Sequence, residues 1–445
     1  MIQDILRNFY LRIPGNNFMK QYDQIKYAFN TGAIVSFKED CLRKILIHSY
    51  KQVPYYSTVF NKIGIITGNE VDLAKFNDIP ILTKEMIRKN RQEMIAKDNS
   101  KRRCYYISSG GTTGEPVTLI KDEHGDLWSN AAAQYYYKDI IGIDELSAKK
   151  IFIWGSERDI FYGTLGLKAN ILNWLNKSIF LNSFKMTMED MAKYIQIINI
   201  YKPALIRGYA GSLFEIARYA KKNAIKIYHP EVIISAAEPL TKEIRDIVES
   251  IFGAKVYNFY GSREAGGLAG ECRDGFLHTF PFNNYVEVLD NDNQPVGEGK
   301  RGRVIVTNIH NYSMPLIRYE IGDIAEVGPE RCACGNGLPT LKDITGRSID
   351  YFVREDGALV YGDYFTHLFY LKAWLRKFQV IQEDYKKITI SVVLEDKLDE
   401  NEKIEINEKI KLVMGQDCNI TWKFVKEISR PESGKHIYTK TLIKR

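Results

Sequence analysis

Apolar residues along this chain switch repeatedly between a helical and a strand period. Over residues 40–52, "DCLRKILIHSYKQ", Leu42, Ile45, Leu46 and Tyr50 recur at helical intervals, which predicts an amphipathic helix. The stretch "MAKYIQIINIYKPALIRGYAGSLFEIARYAKKN" predicts a helix, a short strand over 204–207 and a second helix from Ser212. "VIISAAEPL" and "KVYNFYGSREA" each read as a short apolar strand that ends in small or polar residues. Helix alternating with strand argues for a layered α/β body. Residues 285–307 read as an antiparallel hairpin, with a turn-rich connection over 291–302.

After Arg347 the texture changes. "FVREDGALVYG" reads as a polar hairpin, 365–378 as a helix, "KKITISVVLE" as an alternating strand, 399–413 as a charged helix and "NITWKFVKEI" as a last strand. A tail of that size and order suits a small α+β domain. The expected organisation is a large domain over 1–347 and a small one over 348–445, with a hinge near 347–350.

Composition changes this picture little but excludes several classes. A chain of 445 residues with 45% hydrophobic and 26% charged residues can bury a large core, which excludes wholesale disorder. The net charge of +7 is spread along the chain rather than gathered into a block, so no nucleic-acid footprint is expected. "MIQDILRNFYLRIP" carries Asp4 and Arg7 inside what a signal peptide would need as its apolar segment, and no run of apolar residues reaches membrane-spanning length. A cytoplasmic protein without a membrane span is expected. Six cysteines are few for such a chain, and in a reducing compartment clustered cysteines point to metal before disulfides.

One loop carries chemistry. "YISSGGTTGEPVTLI" sets glycines and threonines between two strand-like runs, Tyr105 to Ile107 and Val117 to Ile120. Unobstructed backbone N–H groups with hydroxyl donors are what a polyphosphate needs from a loop. Taken alone, the same composition also serves a structural turn. No Gly-Lys-Ser/Thr follows, so it is not a Walker A loop.

The loop has company. "SGGTTGEP", "SAAEP", "NFYGSRE", "YEIGD", "TGRSID" and a terminal "PESGK" occur in the order found in the adenylate-forming superfamily, the acyl-CoA ligases and their relatives, which this chain resembles. "VPYYSTVFNKIGI", "DIPILTKEMIRKN", "EC", "GFLH", "PLIRY" and "CACG" look like the phenylacetate-CoA ligase-like group, and "DYFVREDGALVYGDYF" is closer to its capsular polysaccharide biosynthesis branch. The resemblance implies a large layered α/β N-terminal domain and a small mobile α+β C-terminal lid. It also implies ATP-dependent activation of a carboxylic acid to an acyl-adenylate, with release of pyrophosphate. Transfer to a thiol follows, on CoA or a carrier protein, or to an amine on a sugar or amino acid.

The resemblance also assigns roles. Ser109, Gly110, Gly111, Thr112, Thr113 and Gly114 would grip phosphate; Ser235, Ala236, Ala237, Glu238 and Pro239 would lie along adenine, with Glu238 alternatively capping a helix. Asn258, Phe259, Tyr260, Gly261 and Ser262 would continue the nucleotide site, Tyr260 stacking on the base and Glu264 offering Mg²⁺ a hard oxygen. Asp323 would accept the ribose hydroxyls, Arg347 would hold the ribose or a phosphate, and Lys435 would meet the α-phosphate. The chain departs from the family at Ile349, where two acidic residues normally follow the arginine, and at Glu115, where lysine is common.

The acid itself is not legible. "IFIWGSERDIFYG" and "RGYAGS" are candidate wall segments, with Trp154, Tyr209 and Ser212 as contacts, although aromatic residues there serve equally as core. Cys272 and His278, spaced C-x5-H, with Cys332 and Cys334, spaced C-x-C, supply three sulfurs and one nitrogen, a closed tetrahedral zinc set; unrelated buried thiols are the other reading. A homodimer and a non-catalytic nucleotide-binding homologue both stay open.

Overall fold

The computed structural model describes residues 17–108, 117–155, 171, 173–183, 185–345, 351–369, 372, 374–428 and 438–443. They form a mixed α/β fold in two compact units. One comprises residues 17–108, 117–148 and 257–345; the other, the described residues of 149–256 and of 351–443.

The first unit opens with helices Met19–Asn30, Ile34–Gln52 and Pro54–Ile63. The second of these buries Cys41, Leu42, Ile45, Leu46 and Ser49 on one stripe, as the helical period predicts, and it stops where Val53 turns extended and Pro54 begins the next helix. Its sheet is antiparallel, in the order Asn284–Leu289, Arg301–Asn308, Tyr319–Val327, Thr340–Thr345, Leu277–Thr279, Gly266–Glu271 and Val256–Ser262. The hairpin expected over 285–307 is its first strand pair. Val304, Val306, Ile317 and Tyr319 share one core with Leu42, Ile45 and Phe60.

Arg318 locks the start of the third strand. Its guanidinium is 2% exposed and donates to both oxygens of Glu287, itself 6% exposed, at 3.0 and 3.3 Å. It also donates to the carbonyls of Asn77 and Ile79. Removing one partner from a buried pair of this kind leaves an uncompensated charge, at a cost of about 3–5 kcal/mol.

In the second unit the strands Val232–Ala236, Leu205–Tyr209, Lys150–Trp154 and Ser178–Asn182 lie parallel in that order. Ile151, Ile153, Ile206 and Ile233 pack on one face against Ile195, Leu213, Ile216 and Val248 of the helices Met188–Tyr201, Ala210–Lys222 and Lys242–Phe252. Because side chains alternate along a strand, the opposite face carries Phe152, Trp154, Phe180, Arg207 and Tyr209.

Carboxy-terminal residues of this unit build a small α+β assembly. Its sheet runs Asn419–Phe424, Lys387–Leu394, Leu375–Asp384, Thr439–Thr441, and it packs with the helices Gly362–Leu368 and Glu400–Met414. The hairpin Tyr351–Val353 and Leu359–Tyr361 precedes it, and Leu359–Tyr361 also pairs with Lys185–Met186. Buried Gln382 joins hairpin to sheet: its side chain accepts from the Val353 N–H at 2.9 Å and donates to the Val353 carbonyl at 2.5 Å.

Residues 365–378 are not one helix. The helix ends at Leu368, and a strand begins at Leu375 with a register shift between Leu375 and Lys377. That bulge places buried Leu375 and Phe378 three apart, which imitates a helical period before strict alternation resumes at Val380 and Gln382. Among the described residues, no helix is long and apolar enough to cross a membrane.

Candidate active site

The loop that opened the chemical reading is carried by a β-hairpin. Cys104–Ser108 and Thr118–Asp122 pair antiparallel, with Ser108 opposite Thr118, so residues 109–117 connect two paired strands. Asp122 anchors the hairpin's base: its buried carboxylate accepts the N–H groups of Gly125 at 3.0 Å and of Tyr312 and Ser313 at 2.8 Å each. Ser109 to Gly114 lie outside the described residues, as do Arg347 and Lys435.

In the first unit the structure brings Tyr260 and Asp323 together. Asn258, Phe259, Tyr260, Gly261 and Ser262 lie on the strand Val256–Ser262, and the Tyr260 hydroxyl donates to Asp323 Oδ2 at 2.8 Å. Asp323 reaches this position through a bulge. Between Arg303, opposite Ile324, and Ile305, opposite Glu320, one residue faces three, and Gly322 takes φ +93°. A left-handed residue there is what glycine alone adopts without strain. Glu264 sits in the turn that follows, 5% exposed, where Ala265 N–H donates to Ser262 Oγ at 3.1 Å. Phe259 points the other way, into a buried aromatic group with Tyr136 and Phe280 at 5.4 and 5.9 Å, so its backbone is what it can offer a nucleotide.

In the second unit Ser235 and Ala236 are the buried last residues of their strand, and Ala237 turns out at φ +67°. Glu238 caps the start of a helix, though not the one that follows it. Its Oε2 accepts the Gly211 N–H of the helix Ala210–Lys222 at 2.7 Å, whereas Lys242–Phe252 is capped by Thr241. Pro239 is exposed beside it. Trp154 and Tyr209 end neighbouring parallel strands, their ring centroids 4.3 Å apart, and the Arg207 guanidinium lies 5.6 Å from the Trp154 ring. Ligands of open parallel sheets bind beyond such strand ends. Tyr209 is 6% exposed and belongs to one core cluster with Phe352, Tyr364 and Phe365 of the carboxy-terminal segment, against which Trp154 also packs. Ser212 is buried in the first turn of its helix.

The cysteine reading converges on one point. The ligand atoms of Cys272, His278, Cys332 and Cys334 all lie within 4.8 Å of one another. The sulfurs of Cys272 and Cys332 are 3.7 Å apart, and Cys334 Sγ is 3.2 Å from His278 Nε2. Sulfurs at the corners of a zinc tetrahedron stand about 3.8 Å apart, so the donors fit that ion. The far nitrogen, Nδ1, lies 3.1 Å from the Leu338 carbonyl. A carbonyl can only accept, so Nδ1 carries the proton and Nε2 presents its lone pair to the cluster. Burial opposes ionisation of Cys272, yet its close neighbours, His278, the backbone at Asp274 and Phe276, and Cys332, hold its thiol down to about 6. Burial, with hydrogen bonding to Cys334 and Cys272, pushes Cys332 up to about 12. Thiols this close resist joint ionisation, a cost that a divalent cation relieves.

Two residues of this region escaped the sequence reading. Asp122 carried no signal beyond its place before a helix. Glu271 did carry one, standing directly before Cys272 in "EC".

A family model described as the CapK C-terminal domain matches residues 352–441. Protein CapK of Staphylococcus aureus is 26% identical over 451 residues, covering 97% of this chain and 96% of that protein. Phenylacetate-coenzyme A ligase of Thermus thermophilus is also 26% identical, over 402 residues, covering 86% of this chain and 83% of the ligase. Among solved structures, 2-hydroxyisobutyryl-CoA ligase in complex with 2-HIB-AMP and CoA, in its thioesterification state, superposes with a TM-score of 0.61 at 16% identity. The match covers 93% of this chain and 90% of that one, a likeness of fold. With the motif order and the fold agreeing, the chain is similar to the adenylate-forming superfamily, and within it to the phenylacetate-CoA ligase-like and CapK branch.

Proposed function

We propose that this protein activates a carboxylic acid with ATP, forming an acyl-adenylate and pyrophosphate, and then transfers the acyl group to a thiol of CoA or a carrier protein. The observation that carries this reading is the Tyr260–Asp323 hydrogen bond, set by a glycine bulge beside the turn that holds Glu264. A carboxylate has two oxygens and about four acceptor sites, so Asp323 can keep Tyr260 and still accept from ribose hydroxyls. Tyr260, half-buried and tethered through its hydroxyl, offers a ring face held in place for a base to stack upon.

The attacking carboxylate oxygen meets the α-phosphorus in line with the departing pyrophosphate, and charge grows on the phosphoryl oxygens. In this reading Glu264 would hold Mg²⁺, which supplies positive charge there, and Lys435 would add its ammonium. Ser109 to Gly114 would grip the leaving phosphates and Arg347 the ribose side. Trp154 and Tyr209 would border the acid. The second half-reaction breaks the acyl–phosphate bond as the thiolate attacks the carbonyl, releasing AMP.

Acid-dependent exchange of labelled pyrophosphate into ATP tests the reading directly. Screening aryl, fatty and amino acids should yield at least one acid that drives exchange, with AMP rather than ADP as the product once CoA is added. Consumption of ATP to ADP, or no exchange with any acid class, would sink it. Adding amino sugars, amino acids or a carrier protein in place of CoA separates the acceptors, an amine acceptor being the alternative to the thiol.

Cys272, His278, Cys332 and Cys334 would hold a structural zinc ion, with all four positions taken by protein and none left for substrate. Elemental analysis of protein purified without chelators should find about one zinc per chain; none would overturn the assignment. Cys334→Ser should cost about 2 kcal/mol or more of stability, read by thermal or urea unfolding.

A further inference from the structure

Glu271 stands where the thiol–imidazole cluster meets the nucleotide strand. It ends the strand Gly266–Glu271, and the next residue is Cys272. In the ladder to Leu277–Thr279, Gly270 lies opposite His278 and Glu271 opposite Leu277, so metal-type ligands flank it on both sides. Its backbone is pinned. The Tyr136 hydroxyl donates to the Glu271 carbonyl at 3.0 Å, and the same ring fills the space beside Gly270, where a Cβ would come within 2.2 Å of it. Its carboxylate, 4% exposed, accepts the Asn258 N–H at 2.6 Å. The antiparallel ladder between these strands begins at Phe259 opposite Gly270, so the carboxylate extends it by one residue. Tyr260, the partner of Asp323, is two residues further on.

We propose that Glu271 is a positioning residue that carries the state of the cluster to the nucleotide strand, so that an intact cluster is a condition for tight nucleotide binding. A four-point clamp fixes the backbone at Cys272, and a short charge-assisted hydrogen bond from the adjoining residue tolerates little displacement. If the clamp opens, the buried Glu271 carboxylate loses the N–H of half-buried Asn258, and an unmade bond to a buried charged group is expensive. The nucleotide half of this inference rests on the function proposed above; the strand half does not.

The test uses full-length wild-type protein, Glu271→Ala and Glu271→Gln, each with and without chelator treatment. Three quantities are read: zinc content, amide exchange of peptides covering residues 257–263, and the dissociation constant for ATP. Glu271→Ala should keep its zinc, yet exchange faster over 257–263 and bind ATP more weakly, each by about tenfold. Glu271→Gln, whose amide oxygen still accepts from Asn258, should stay within about threefold of wild type. Chelation of wild-type protein should reproduce the Glu271→Ala values and add little to Glu271→Ala itself, as expected for two changes acting through one contact. Bound ATP should also raise zinc affinity, read as the chelator concentration that removes half of the zinc at equilibrium, in wild type and not in Glu271→Ala, because coupling between the affinities of two sites is reciprocal. Unchanged exchange in Glu271→Ala, or losses that simply add, would overturn the proposal. A wild-type protein that binds no ATP would sink the nucleotide reading instead, and the exchange data would still decide whether the cluster governs the strand.

Discussion

Glu264→Gln is expected to fold normally and to lose acid-dependent pyrophosphate exchange by about 10²–10³. Glu264 is buried in the turn after the strand Val256–Ser262, and glutamine fills nearly the same volume, so packing is kept. What disappears is one negative charge and one hard anionic oxygen, the ligand type that Mg²⁺ selects. The loss should appear in the rate of adenylation, with a raised requirement for magnesium and an unfolding midpoint close to that of wild type. Exchange near the wild-type rate would remove Glu264 from the catalytic assignment. A large loss of stability would make it a residue of the fold.

Lys435→Ala separates the two half-reactions. A lysine that meets the α-phosphate contributes only while charge grows there, so acyl-adenylate formation should fall by about 10²–10³. Transfer from a supplied acyl-adenylate to its thiol should stay near the wild-type rate, because that step never uses the phosphate contact. Equal damage to both halves would mean a structural lysine, or an enzyme that uses one arrangement throughout. Unchanged adenylation would pass the role to another lysine. Lys440 is the weaker heir, since it sits in the strand Thr439–Thr441, held in parallel register with Ile381. Lys444 would be the other.

Much of the fold was legible because local period and tertiary burial agree. Leu42, Ile45 and Leu46 are buried where their spacing puts them, and the two runs around the glycine-rich loop pair as strands. The helix read over 365–378 failed where a bulge at Leu375 gave a strand the spacing of a helix. The cysteines were legible as a set because soft ligands have few other reasons to converge. Glu238 was ambiguous in sequence because a carboxylate can cap any helix whose N-terminus folds near it, and the one it caps begins well before it in the chain. Glu271 and Arg318 stand in the motifs "EC" and "PLIRY", but what they bind was not legible: their partners, Asn258 and Glu287, are fixed by strand register, which no local pattern encodes. Ser109 to Gly114, Arg347 and Lys435 rest on motif order alone.

A ribosome delivers this chain from its amino end, so Lys185–Met186 emerges long before Leu359–Tyr361, the strand it pairs with. Trp154 and Tyr209 likewise wait for Phe352, Tyr364 and Phe365, and residues 257–345 of the other unit are made in between. The second unit therefore closes last, through contacts remote in sequence, which fold slowly. Until then its aromatic sheet face and an unpaired strand edge are open to wrong partners. A nascent chain stalled before residue 351 would be a client for a chaperone rather than a smaller enzyme.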